Sequence, residues 1–220
     1  MGFEERGKMG EKMDLKALEK KAWSSYFQDG LWEIVLGTML SVSVLSCALE
    51  YAGVADMTRI AIYMPLMMVL PTLILTAGKK YITVPRLGVA KFGQRRQKSL
   101  LKLMAAIAAT FSVNLLVWGI SVSYPDVTMG NYGLSLVVFD ILAIFSLLAY
   151  YMDYNGFYIV AVLMVSPEFI IYLLKNFTSF KYYFLVAYGI PAAILIAIGL
   201  AAIVRFMRRY DAPPEAPDAS

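Results

Sequence analysis

The sequence predicts an all-α protein: a polytopic transmembrane helical bundle of six spans, both termini cytoplasmic (N-in/C-in), with an N-terminal amphipathic interfacial helix. Three observations carry that expectation. Apolar residues make up 60% of the 220 and charged residues only 16%, where a soluble domain has about half and about a quarter. With a mean hydropathy of +0.64, the chain cannot cover its apolar surface in water, so lipid must be the solvent for much of it. The apolar residues also fall in runs near the ~20 needed to cross a ~30 Å hydrocarbon core, and the basic residues between those runs are segregated by loop.

Residues 1–30 hold six Lys/Arg and six Asp/Glu and are too polar for the apolar stretch of a signal peptide. From Met13 to Phe27 the apolar residues Met13, Ala17, Leu18, Ala22, Trp23, Tyr26 and Phe27 recur at near-helical spacing, with Lys12, Lys16, Lys20 and Lys21 between them. That pattern fits a helix lying on the membrane with its aromatic residues at headgroup level; a solvated helix leading into the bundle fits it as well. Asp29-Gly30 then breaks the chain. Asp29 is placed to cap the first span, and Glu33 adds negative charge near a helix N-terminus, where the dipole favours it.

The six spans are expected at 31–52, 60–78, 100–122, 132–152, 157–174 and 182–204. Together they form one transmembrane domain, 31–204, with a basic cytoplasmic loop at 79–99 and a cytoplasmic tail at 205–220. Asp153-Tyr154-Asn155-Gly156 separates the fourth and fifth and suits a tight helical hairpin. Residues 211–220, DAPPEAPDAS, hold no apolar run to bury and are expected to be disordered. Gly30 precedes Pro65 by 35 residues, as Gly156 precedes Pro191, and the same alignment pairs Lys79 with Arg205. A duplicated hairpin and chance similarity both account for this echo.

Orientation follows from counting. With both ends inside, 17 of the 20 Lys/Arg lie on the inner side, leaving only Arg59, Lys175 and Lys181 outside. This is a strong positive-inside bias, and it requires an even number of spans.

Several chemistries are excluded or made improbable. Cys47 is the only cysteine and histidine is absent, which removes an intramolecular disulfide, a thiolate metal site, His ligation and any His-based triad. No nucleophile–base set is found, so no catalytic residue, metal or cofactor is expected and the protein is not read as an enzyme.

Ionisable groups inside a bilayer cost about 2.5–3.5 kcal/mol on insertion scales and are informative for that reason. Asp140 lies in the fourth span and Glu168 in the fifth, directly after Pro167. With 1.5 Å per residue, Asp140 and Asn114 fall roughly 12 Å below the outer ends of their spans and Glu168 roughly 9 Å. Asp140, Glu168 and Asn114 therefore share one level and are candidates for a polar pocket binding a cation or proton from outside. Packing glue between helices is the alternative, as is pairing of Glu168 with Lys175. Glu50 and Arg59 are expected to form an exposed pair.

The basic loop is dense in charge: Lys79, Lys80, Arg86, Lys91, Arg95, Arg96, Lys98 and Lys102, with no Asp or Glu between 79 and 102. The first seven are candidates for lipid headgroup contact, since each cation near an anionic leaflet gains about 1 kcal/mol. Control of topology by charge alone accounts for them too. Pro85-Arg86-Leu87-Gly88 reads as a turn, with a helix from about Gln94 into the third span.

Tyr81-Ile82-Thr83-Val84-Pro85-Arg86-Leu87-Gly88-Val89-Ala90-Lys91-Phe92, together with Tyr26-Phe27-Gln28-Asp29-Gly30-Leu31-Trp32-Glu33-Ile34 and Gly37, resembles small prokaryotic multi-span integral membrane proteins with no assigned activity. The shared features are an Asp-Gly-x-Trp-Glu-Ile opening and a Thr-x-Pro-Arg-x-Gly basic loop, within about the first 100 residues. The resemblance implies a cell (plasma) membrane location, multi-pass, and no particular chemistry. Two functional expectations stand: a small permease-like or cation/proton-coupled carrier using Asp140, Glu168 and Asn114, or a non-catalytic membrane subunit or lipid-interacting scaffold. The expected partners are the bilayer, anionic lipids at the cytoplasmic face, and a second copy or another membrane protein. Nucleic acid is not expected.

Overall fold

A computed structural model describes residues 27–87, 94–123, 130–177 and 180–210. Of the expected interfacial helix, Met13–Phe27, only Phe27 is described, and it is buried in the core at 7% exposure and not set out at headgroup level; residues 13–26 and the 211–220 tail lie outside the described residues. Among the described residues the protein is all-helical, with six long helices: α1 Leu31–Tyr51, α2 Asp56–Gly78, α3 Gln94–Ser123, α4 Gly130–Met152, α5 Gly156–Phe177 and α6 Tyr183–Arg209. Four stretches are long and apolar enough to cross a membrane: Leu31–Tyr51, Asp56–Leu87, Gly156–Phe177 and Tyr183–Arg209. α3 and α4 contribute shorter apolar stretches, Leu100–Val113 and Leu136–Met152. Helix is the form such a sequence must take in lipid, because it satisfies every backbone polar group within the segment.

α1 packs most extensively on α6 and then on α2; α5 joins α6 to α4, and α3 leans on α4. Leu36 and Leu40 of α1, Leu103 of α3, Ala149 and Met152 of α4, Phe157 and Val160 of α5 and Leu195 of α6 form one core. α2 buries no residue at all between Asp56 and Gly78, and Met57, Met64, Met68 and Leu73 stand exposed along it.

Small residues set the α1–α6 contact. A Cβ on Gly199 would lie 2.8 Å from the Gly30 carbonyl oxygen and 2.9 Å from the Ile34 nitrogen. One on Gly37 would lie 3.1 Å from the Ala192 carbonyl oxygen. Without a hydrophobic force between helices in lipid, such close backbone approach is what makes helix pairing favourable. Gly30 also carries φ +80°, so glycine is required there twice over.

The connections alternate between two ends. At one end the Phe27–Gly30 turn, the end of α2, the α4–α5 turn and the last turns of α6 come together. At the other, Tyr51 meets Tyr182 edge-on with ring centroids 5.0 Å apart. There Arg59 pairs with Glu50, as expected, and also with Asp56 at 3.0 Å. The Asp153–Gly156 hairpin is as tight as expected: Asp153 has φ +53° and the Tyr154 N–H reaches the Ala149 carbonyl at 3.1 Å.

The structure departs from the sequence reading after Gly78. The second helix does not end there but runs on through a π-helical turn, Lys79–Thr83, and an α-helical turn, Val84–Leu87. A turn was expected at residues 85–88, yet the chain is helical through Leu87. Lys79 and Thr83 share one face of this extension, and both side chains bond to Asp29, which holds the backbone wound. Pro85 has no N–H to offer, and the shift in hydrogen-bond register just before it is a place where helices absorb such a loss. The described part of α3 runs from Gln94 to Ser123; the residues just before it, against which the expected start at about Gln94 would be judged, lie outside the described residues.

Candidate functional site

The most concentrated polar chemistry lies at the Phe27–Gly30 end, within the bundle. Asp29 is fully buried, Thr83 is fully buried, and Glu33 is 1% exposed. The left-handed Gly30 turns the chain so that Asp29 points back under α1. Asp29 Oδ1 accepts the Leu31 N–H at 3.2 Å, satisfying one of the free amides at the start of the helix. Asp29 Oδ2 accepts from Lys79 Nζ at 2.5 Å and from Thr83 Oγ1 at 2.6 Å. The capping role expected of Asp29 is therefore partial: Gly30 occupies the cap position, and the carboxylate chiefly joins α1 to α2.

Glu33 lies in the first turn of α1. Its Oε1 accepts the hydroxyl hydrogen bond of Tyr154, from the α4–α5 turn. Its Oε2, the Trp32 indole N–H and the Arg86 Nε are buried without a hydrogen-bond partner among the described residues. Phe157 closes the apolar side, edge-on to Tyr154 at 5.2 Å and to Trp32 at 6.3 Å. Lys79 Nζ also lies 5.8 Å from the centre of the Phe27 ring. Burial, followed by the hydrogen bond to Glu33, pushes the Tyr154 phenol above its usual range, with Arg205 acting in the opposite sense. Tyr154 is thus kept a donor.

Beside this cluster a cavity of about 210 Å³ opens between Tyr154 and the end of α6. Its polar lining is Gln28, Tyr154, Arg205, Arg209 and Tyr210, and Phe206 and Ala202 supply the apolar part. Among the described residues no carboxylate lines it.

The residues singled out from the sequence are dispersed. Asp140 is half-buried on α4, and Glu168 half-buried on α5. No hydrogen bond or ion pair among the described residues joins them to one another, and none joins Glu168 to Lys175. Glu168 instead lies within electrostatic reach of Tyr188 on α6. The Asn114 side chain lies outside the described residues. Of the headgroup candidates, Lys79 is turned inward to Asp29, its side chain 15% exposed. Lys80 is exposed beside the Tyr81 ring. Arg86 is half-buried and donates to the Ile82 carbonyl of its own helix at 3.0 Å. Lys91 and the side chains of Arg95, Arg96 and Lys98 lie outside the described residues.

Sequence reasoning missed the roles of Glu33, Tyr154, Thr83, Arg205 and Arg209. The one usable signal was the spacing of Lys79 and Thr83, which places two polar side chains on one helix face opposite an Asp-Gly turn.

Among the described residues the chain is all-α, with four helical stretches long and apolar enough to cross a membrane and a buried polar latch at one end of its helices. No family model, curated protein or solved structure matches it.

Proposed function

We propose that the chain is a multi-pass cell-membrane protein of six spans, N-in and C-in, acting as a non-catalytic scaffold that contacts anionic lipid at its cytoplasmic end. One observation carries this reading: the cavity lined by Arg205 and Arg209 lies at the end where the latch gathers the cation-rich segments. Basic pockets of this kind on the cytoplasmic side suit anionic headgroups. The resemblance noted above supports the location. The unburied length of α2 supports a helix that meets lipid or a partner helix rather than the protein's own core. The test is to purify the protein in mild detergent and identify the retained lipids by mass spectrometry. Anionic phospholipid should be enriched over the source membrane; a retained pool matching the bulk composition would remove this reading.

A second reading, a cation- or proton-coupled carrier, is favoured by Asp140 and Glu168 remaining half-buried on two adjacent, packed helices. It predicts that Asp140→Asn and Glu168→Gln proteins fold but lose ion or proton flux in proteoliposomes. Wild-type vesicles no leakier than protein-free ones would eliminate it.

A further inference from the structure

Gln28, Tyr154, Arg205, Arg209 and Tyr210 converge on a single cavity that, among the described residues, has no acidic residue in its lining and has two guanidinium groups one helical turn apart. We infer that this cavity is a binding site for a phosphate group, taken from an inner-leaflet phospholipid. The inference rests on the scaffold reading and narrows it to one site.

The donor set fits that chemistry. Arginine presents a planar fork of N–H donors that matches phosphate oxygens two at a time, and it is always charged. At i and i+4 the two forks emerge from one face of α6 and can hold one anion between them. Both side chains are exposed, and neither takes part in an ion pair among the described residues. Gln28 and Tyr210 add amide and hydroxyl groups to the lining. The Tyr154 ring lines this space while its hydroxyl donates to Glu33. At about 210 Å³ the cavity far exceeds the ~10–15 Å³ that a single water needs, leaving room for a phosphate and part of its ester.

The depth and the floor favour a lipid as the source. Phe206 is buried at 4% exposure, so the cavity has a charged mouth and an apolar base, as a headgroup with its glycerol would require. The position, in the last turns of a long apolar helix, is where lipid phosphates lie. Arg208 belongs to the same turn but does not line the cavity, and it separates a built site from general attraction to a basic surface.

The experiment titrates full-length protein in zwitterionic detergent with short-chain phosphatidic acid, phosphatidylglycerol, phosphatidylcholine and inorganic phosphate, with bound species counted by native mass spectrometry. One phosphatidic acid or phosphatidylglycerol should bind saturably. Hydrogen bonds between charged groups contribute about 1.5–3 kcal/mol, so Arg205→Gln and Arg209→Gln should each weaken binding roughly tenfold or more. Arg208→Gln should bind as the wild type does. Arg209→Gln changes an exposed residue and keeps the test available if Arg205→Gln fails to fold. Inorganic phosphate binding as tightly as the lipids, and losing as much in the Arg variants, would keep the phosphate site and assign it to a free anion. Equal losses in Arg208→Gln, or none in the cavity variants, would overturn the site while leaving the anionic-lipid preference in place. Wild-type protein that prefers neither anionic lipid over phosphatidylcholine would overturn both readings.

Discussion

Tyr154 donates its hydroxyl hydrogen bond to Glu33, 121 residues earlier in the chain, and so fastens the α4–α5 turn to the first turn of α1. Asp29, four residues before Glu33, fastens the same turn of α1 to the end of α2 through Lys79 and Thr83. Three separate connections are thereby held at one end by two adjacent carboxylates.

Removing the phenol tests the first of these ties. Tyr154→Phe leaves the ring against Phe157 but strips Glu33 of its only side-chain hydrogen-bond partner among the described residues. A hydrogen bond to a charged group contributes about 1.5–3 kcal/mol, and thermal unfolding in detergent should fall by an amount of that order. Alkaline pH provides a second measurement. The folded-state pKa of Tyr154 is raised above its unfolded value of about 10, so its contribution is fully present below about pH 10 and is lost as pH rises towards the folded value. The wild type should lose stability over that range more steeply than Tyr154→Phe; parallel curves would mean the tie is weak.

Lys79→Met should be among the most damaging substitutions at this end. Among the described residues it leaves the fully buried Asp29 with Thr83 and one backbone amide, and breaking a buried ion pair from one side costs about 3–5 kcal/mol. Asp29→Asn combined with Lys79→Met should recover a large part of that loss. Strict additivity in the double-mutant cycle would show that the pair does not interact.

Two glycines with similar backbone angles should respond differently. Gly30 (φ +80°) faces the Gly199 backbone, and Gly53 (φ +78°) has nothing within 4 Å of a would-be Cβ. Gly53→Ala should cost only backbone strain, roughly 1–2 kcal/mol. Gly30→Ala adds a collision with α6 and should cost clearly more. Gly199→Val should part the same helices. Equal melting temperatures for the Gly30 and Gly53 variants would contradict the close α1–α6 contact.

The two ends of the bundle should label from opposite sides of the membrane. In a Cys47→Ser background, Asn155→Cys and Arg208→Cys should react with an impermeant thiol reagent only after cells are opened. Ala55→Cys and Phe180→Cys should react in intact cells. Any pair from one end labelling on different sides would break the up-and-down arrangement.

What the chain settles without its tertiary structure follows from solvent and covalent chemistry. Runs of about twenty apolar residues must be helical wherever lipid surrounds them, so the helical class was legible, as was the turn at Asp153–Gly156. The Glu50–Arg59 pair was legible as well, because its two members flank one short turn. The end of α2 was not: whether Pro85 sits in a turn or in a helix depends on Asp29, a residue 54 positions before Thr83. The polar site was hidden for the same reason. Asp140 and Glu168 drew attention as charges deep within apolar runs, whereas Glu33 and Lys79 stand near span ends, where charge is ordinarily cheap. Only the packing of α1 against α2 and α6, governed by the close approach of Gly30 and Gly199, carries Asp29 and Glu33 out of water and makes Lys79, Thr83 and Tyr154 their partners. Hydropathy acts along the chain and can be read there; burial of a polar group depends on which distant surfaces meet, and that is decided in three dimensions.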